Sequence, residues 1–278
     1  MPSAIIITVV LMLADILSAA DLPVVGPNDT GTKITGTYVM LVTGLNKDPE
    51  ERQAKDKAIL RLRKFFLSEA NVPADHITVL VDKESFVVQR SGESTAESIR
   101  SQLGELARRM KASDRFIFYY VGQANVVKDN LRLNLPGDDI TEQDLQAWFK
   151  DMQTASMLIV LDCPAAGLAA AVLKGRGRVI VCGSRGDQRY STRFSDYFVP
   201  ALSEQTSDAN GDGRISLLEA FTAASKRIDD LYREQDLMKT ETPLIEDDGD
   251  GVPSQEPWDY EKGEHDGFVA SRFFFSAT

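Results

Sequence analysis

Five short runs of β-branched, aromatic and aliphatic residues, set apart by stretches with helical spacing, constrain this chain more than any other feature. The runs are Thr37 to Thr43, Ile77 to Val81, Arg115 to Val121, Met157 to Leu161 and Arg178 to Cys182. Helical spacing occupies Pro49 to Ser68, Ser94 to Met110, Thr141 to Lys150, Ala165 to Leu173, Phe194 to Leu202 and Ser216 to Glu234. Ser94 and Thr95 are candidate caps of the second helix, with Glu97 close behind. Phe116 to Val121 is apolar throughout, as a strand covered on both faces must be. Strands alternating with helices build βαβ units. The sequence therefore predicts an α/β fold: a doubly wound, mainly parallel sheet of five or six strands with helices on both faces. Such a sheet binds ligands beyond the carboxyl ends of its strands. The candidate cleft is therefore Gly44, Leu45 and Asn46; Gly122, Gln123 and Ala124; Asp162, Cys163 and Pro164; and Gly183, Ser184 and Arg185.

Composition closes off other classes. With 43% hydrophobic and 26% charged residues among 278, the chain is neither wholly disordered nor a multi-span membrane protein. Its 31 basic and 42 acidic residues, a net charge of −11, argue against nucleic-acid binding through bulk charge. The apolar stretch from Ala4 to Ala14, followed by Ser18, Ala19 and Ala20, suits a signal peptide over residues 1–20 and is too short to span a bilayer. That reading makes residues 21–35 a linker and the protein secreted or periplasmic, with no stable membrane insertion after cleavage. Because no Lys or Arg precedes the stretch and Asp15 interrupts its end, a buried N-terminal helix is the competing reading.

Several chemistries lack their motifs: no P-loop, no dinucleotide-binding Gly-x-Gly-x-x-Gly after the first strand, no Gly-x-Ser-x-Gly elbow and no zinc-binding His-Glu-x-x-His. The sharpest ligand signal is a loop in which Asp208, Asn210, Asp212, Gly213, Ser216 and Glu219 fill positions 1, 3, 5, 6, 9 and 12 of an EF-hand, with the Arg214 carbonyl at position 7. Oxygen donors at that spacing predict bound Ca²⁺; the simpler alternative is a turn that caps the next helix. Glu246, Asp248, Asp250 and Gly251 repeat the first half of the pattern, but Pro257 stands at position 12, so this second loop reads as an incomplete site or an acidic turn. Trp258 and Tyr260 are expected to pin the polar tail to the body, and Phe268 to Phe275 to form a last strand or a docking segment.

An apolar strand ending in Gly122, then one ending in Leu161, Asp162 and Cys163, resembles the caspase and legumain superfamily of cysteine peptidases. Further stretches match its secreted bacterial branch: Asn134-Leu-Pro-Gly-Asp138, Arg193-Phe-Ser-Asp-Tyr-Phe198, Asp208 to Glu219 with Ala220 and Phe221, and Asp247-Asp-Gly-Asp-Gly251. The resemblance implies a caspase/legumain-like domain over 36–240 that includes the 208–219 loop, and an acidic turn with a C-terminal extension over 241–278. It also implies a degenerate active site. The family's histidine position holds Gln123, whose amide cannot take a proton at neutral pH. The family's cysteine position, counted back from Gly167, holds Pro164, which has no nucleophilic atom.

Cys163 lies one residue earlier, where strand alternation turns it to the other face, although an alignment with one extra residue before Gly167 restores it to register. Neither histidine replaces the base: His76 starts the second strand, at the wrong end of a parallel sheet, and His265 is in the tail. Cys163 and Cys182 read as small buried side chains or as one bridge. Asp162 reads as an acceptor of backbone N–H groups that orients its loop, and Arg185 as a solvated cation or a ligand of an acidic group. The expected function is an inactive peptidase homologue that binds a protein or peptide; the alternative is an active cysteine endopeptidase using Cys163 with a non-standard base. A small-molecule or nucleotide domain is the third class, weakened by the missing phosphate motifs.

Overall fold

The computed structural model describes residues 33–260 and 265–276. The expected signal peptide, residues 1–20, and most of the linker lie outside them. In chain order the elements are β1 (Thr37–Thr43), α1 (Pro49–Ser68), β2 (Ile77–Val81), β3 (Gly92–Glu93), α2 (Ala96–Arg109), β4 (Arg115–Val121), β5 (Ala124–Val127), β6 (Asn130–Leu133), β7 (Ile140–Thr141), α3 (Glu142–Phe149), β8 (Ser156–Asp162), α4 (Ala170–Leu173), β9 (Arg178–Cys182), α5 (Phe194–Ala201), α6 (Leu217–Glu234) and β10 (Leu244–Glu246).

The main sheet has the order β10-β9-β8-β4-β1-β2-β3 and is parallel except for β10, which runs against β9. The expectation of five or six strands is corrected to seven. The additions are the two-residue β3 and the three-residue β10, both too short to carry a periodic signal. A second sheet, antiparallel β5-β6-β7, was not expected. Its hairpin turns at Lys128 and Asp129, which both hold positive φ (51° and 66°), the backbone of a type I′ turn without the usual Asn-Gly pair. The helix expected over 165–173 is instead a 3₁₀ turn (Ala166–Ala169) followed by the single turn of α4.

Alternation along each central strand divides the core into two layers. Val39 and Leu41 of β1, Ile117, Tyr119 and Val121 of β4, and Leu158 and Val160 of β8 pack with α1, α5 and α6. Tyr38, Met40 and Val42, Phe116, Phe118 and Tyr120, and Met157, Ile159 and Leu161 pack with α2, α3 and α4. Each such side chain removed from water contributes about 1.5–3 kcal/mol, so covering both faces is what holds the layers together.

The helix starts follow local chemistry. Asp48 caps α1 by accepting the Glu50 and Glu51 N–H groups (2.8 and 3.0 Å), with Pro49 at the first helical position. Thr95, one of the two expected caps, accepts the Ser98 N–H at the start of α2.

The C-terminal extension completes the α1/α5/α6 layer. Phe268, Phe273 and Phe275 are buried in it, the Leu217 N–H donates to the Phe273 carbonyl (2.8 Å), and Phe274 bridges to Ser216. The segment docks through a 3₁₀ turn (Ala270–Arg272) rather than as a strand. The Arg115 guanidinium lies 4.2 Å from the centre of the Phe273 ring, and burial lowers its pKa to about 10. Tyr260 packs against this layer as expected, whereas Trp258 stays 39% exposed and does not anchor the tail.

Phe273→Ala empties the centre of this docking site. It is expected to destabilise the fold by about 3–5 kcal/mol in denaturant unfolding, the range for buried phenylalanines. A loss below about 1 kcal/mol would mean the tail is not part of the cooperative core.

Candidate functional site

The cleft lies where the winding reverses. From β1 the chain moves through α1 to β2 on one side, and it returns at β4 on the other side of β1. The carboxyl ends of β1 and β4 therefore border a crevice between oppositely directed connections. Two glycines let these ends close on each other. The Gly44 N–H donates to the Val121 carbonyl (3.0 Å), and a Cβ on Gly122 would fall 2.7 Å from the Gly44 backbone.

Gln123 follows directly and is clamped. Its Nε2 donates to Glu51 Oε2 and to Ser191 Oγ, both at 2.7 Å, and Ser191 Oγ donates to Glu51 Oε1 (2.9 Å). Asn46 Nδ2 also donates to Glu51 Oε2 (3.1 Å), so the β1–α1 loop, the end of β4 and the loop after β9 meet at one carboxylate. Because α1 starts at the carboxyl end of β1, its first turn faces the cleft. That placement was the signal available for Glu51; Ser191 sits in an irregular loop and gives none.

Strand alternation governs the next position. Asp162 points to the α5 face, where one carboxylate oxygen accepts the Ser195 N–H (2.9 Å) and the Ser195 hydroxyl. Tyr119 Oη lies 2.8 Å from the same hydroxyl. The other oxygen, Asp162 Oδ1, has no donor among the described residues and lies against Gly183, where a Cβ would fall 2.8 Å from it. Of the two roles expected for Asp162, it accepts a backbone N–H, that of Ser195 at the start of α5, rather than one from its own loop.

Cys163 faces the opposite layer, fully buried among the α2/α3/α4 core residues. Burial pushes its thiol well above the ordinary value, and the Asp162 charge adds to the effect. Ser184, also fully buried, donates its hydroxyl to the Cys163 carbonyl (2.9 Å) and holds backbone rather than presenting a reactive oxygen. Pro164 is buried, and Ala165 after it sits at φ 59°, a left-handed conformation that costs about 1 kcal/mol or more. Ala165 is held there by its N–H to the Gln188 carbonyl (2.8 Å) and by the Gly167 N–H to the Ser184 carbonyl (2.9 Å).

Both cysteines are free thiols, which removes the bridge alternative: Cys182 pairs in register with Leu161, two residues short of Cys163. Arg185 is exposed and pairs with Asp187 (2.9 Å). His76 stacks on Tyr38 at the amino end of the sheet, and His265 is exposed in the tail, so neither reaches the cleft.

Behind the clamp sits a buried carboxyl the sequence did not single out. Glu241 accepts the Arg193 N–H (2.7 Å) and the Tyr232 hydroxyl (3.2 Å). Burial, with the Asp162 charge adding, raises its pKa to about 7, while Lys55 opposes the shift. Lys55 itself is buried and donates to the Thr192 carbonyl (2.7 Å), steadying the loop that carries Ser191.

The 208–219 loop turns through Gly211 and Gly213, both at positive φ (72° and 81°). Asp208 accepts the N–H groups of Gly211, Asp212 and Gly213, Asn210 that of Asp212, and Asp212 that of Arg214. Ser216 and Glu219 form a capping box on α6, and the second Glu219 oxygen accepts the Ala209 and Asn210 N–H groups (3.1 and 3.2 Å). Among the described residues Asp208, Asp212 and Glu219 do not form a three-carboxylate cluster; their oxygens, with that of Asn210, accept backbone amides of the turn instead.

The second acidic turn converges more closely. One oxygen each from Glu246, Asp248 and Asp250 lies within 4.8 Å of the other two, an acidic cluster that could hold a metal ion. Burial raises Glu246 and the neighbouring Asp266 to about 7, and Asp247 to about 6. No helix among the described residues is long and apolar enough to cross a membrane. Comparison with known proteins matches no family model and no curated protein to this chain.

Glu241 gives a pH dependence with a defined sign. The folded state holds the Glu241 proton up to about pH 7, whereas the unfolded chain releases it near 4.5, so stability falls as pH rises through that interval and levels off above it. Glu241→Gln keeps an acceptor for the Arg193 N–H and removes the titration. The difference between wild type and variant isolates Glu241 from Glu246, Asp247 and Asp266, which drift the same way. That difference is expected to change by on the order of 2–3 kcal/mol between mildly acidic and slightly alkaline buffer. Parallel stability curves in the two proteins would refute the assignment.

Proposed function

We propose that this chain is a caspase/legumain-like peptidase homologue without peptidase activity, exported from the cell, that binds a protein or peptide at the inherited cleft. The observation that carries this reading is the clamp on Gln123. Where the family needs a proton acceptor, an amide is locked between Glu51 and Ser191, and the nearest thiol faces the opposite layer. Acyl transfer by a thiol needs a thiolate and a base within hydrogen-bond reach. Pro164 supplies neither, and Cys163 is held protonated by burial. The active-peptidase alternative is disfavoured on the same grounds.

The rim favours binding over chemistry. Tyr190 is 66% exposed beside Ser191, and Arg185 and Arg189 are exposed on the same loop. An aromatic ring with flanking guanidinium groups is the side-chain set that anchors protein and peptide ligands. With a net charge of −11, nucleic acid is a poor partner.

A thiol-directed electrophilic peptide tests the reading directly. The folded protein is expected to remain unlabelled, Cys163 and Cys182 to react only in denaturant, and peptide substrates to remain uncut. Cleavage that Cys163→Ala abolishes would establish the enzyme instead. Panning a displayed peptide library should enrich ligands that Tyr190→Ala binds about ten-fold more weakly or worse, as expected for an anchoring tyrosine.

The 208–219 loop belongs to the same proposal as a Ca²⁺ site. Its donor set fits: side-chain oxygens of Asp208, Asn210, Asp212, Ser216 and Glu219 with the Arg214 carbonyl are all hard ligands. A cation there would stabilise the folded state by mass action. The expected outcome is an unfolding temperature that rises with millimolar calcium and rises less in Glu219→Gln. Equal rises in the two proteins would leave the loop a helix cap.

A further inference from the structure

The turn that leaves β10 gathers Glu246, Asp247, Asp248 and Asp250 within five residues. Glu246 ends the strand and is fully buried; its Oε1 accepts the Gly251 N–H (3.1 Å), and its Oε2, buried as well, has no hydrogen-bond donor among the described residues. A bare ionised oxygen in the interior is unfavourable unless a donor or a cation meets it. The same carboxylate has an oxygen within 4.8 Å of one from Asp248 and one from Asp250. Asp248 Oδ1 holds the Asp250 N–H (2.9 Å) and Asp250 Oδ1 the Val252 N–H (2.6 Å), which fixes both side chains over the turn. The nearby ammonium of Lys174 donates to the Asp250 carbonyl (2.7 Å) rather than to a carboxylate.

We propose that Glu246, Asp248 and Asp250 form a binding site for a divalent, oxygen-seeking cation of the calcium class, with Glu246 Oε2 as its buried ligand. The site is separate from the 208–219 loop and does not rest on the peptidase-homologue reading. The donors are all carboxylate oxygen, which selects hard cations over zinc or copper. Asp248 is half-buried and Asp250 exposed, so water can complete the six to eight ligands that calcium takes.

The site would brace the C-terminal segment. Asp247, inside the same turn, accepts the Gly267 and Ala270 N–H groups (2.9 and 2.7 Å), and Asp266 accepts those of Asp247 and Ser254 (2.7 and 2.8 Å). These two carboxylates hold the tail, while the other three face the cation.

Calcium chloride titrated calorimetrically into the full chain tests the proposal, with wild type, Glu219→Gln, Asp248→Asn/Asp250→Asn and Glu246→Gln compared. The double variant alters positions reached by solvent and keeps the amide-holding oxygens, so it carries the test even if Glu246→Gln does not fold. The expected result is a binding event weakened about ten-fold or more in the double variant and retained in Glu219→Gln. Calcium is also expected to slow proteolysis of the tail in wild type and in Glu219→Gln, but not in the double variant. If wild type binds one calcium ion and only the double variant loses it, this site stands and the 208–219 site falls. If wild type binds no calcium, or the double variant binds it as wild type does, the proposal is overturned.

Discussion

The fold depends on one constraint: β1, β4 and β8 are apolar on both faces, so the sheet is stable only with a helix layer on each side. The α2/α3/α4 layer closes over its face together with Leu131, Leu133 and Ile140 of the small sheet and Leu244 of β10. The α1/α5/α6 layer does so with Phe268, Phe273 and Phe275 from the tail. The C-terminal extension is therefore structural, as the aromatic run Phe268 to Phe275 suggests in sequence.

The same constraint decides the chemistry at the strand ends. On β8, Leu158 and Val160 face α5, so Asp162 faces it too, and the next residue, Cys163, must enter the opposite core. The Cys163 thiol is therefore a buried hydrophobe. Pro164 and the left-handed Ala165 that follow turn the chain away from β8, and Gln188 and Ser184 hold that turn. At the carboxyl ends of β1 and β4, Glu51 is the hub of a hydrogen-bond cluster that gathers Asn46, Gln123 and Ser191.

Much of this was legible in the sequence because it is periodic. The boundaries of β1, α1, β2, β4 and β9 agree with the apolar runs, since in each the period-2 or period-3.6 signal lasts at least five residues. What was not legible is short or set by tertiary contacts. The three residues of β10 form a strand because β9 offers a free edge. The β5–β6 hairpin was hidden because Lys128 and Asp129 adopt a turn usually marked by Asn-Gly. At the site, Gln123, Asp162 and Cys163 could be placed by register alone. Glu241 and Ser191 could not, because the segments that bring them in follow no repeat. The bare oxygen of Glu246 was equally hidden, since sequence gives donors and spacing but not which of them burial leaves unpaired.

The tail links the two acidic turns mechanically. At one end Asp247 holds Gly267 and Ala270; a few residues on, Phe273 accepts the Leu217 N–H and Phe274 bridges to Ser216, the residue that caps α6 and ends the first loop. Arg214 of that loop lays its guanidinium 3.7 Å from the centre of the Phe274 ring. Whatever stiffens either turn therefore acts on the same short segment, and that segment fills the α1/α5/α6 core. Packing joins the two loops: both turns hold the segment whose Phe273 lies in the core covering one face of the sheet on which the cleft is built.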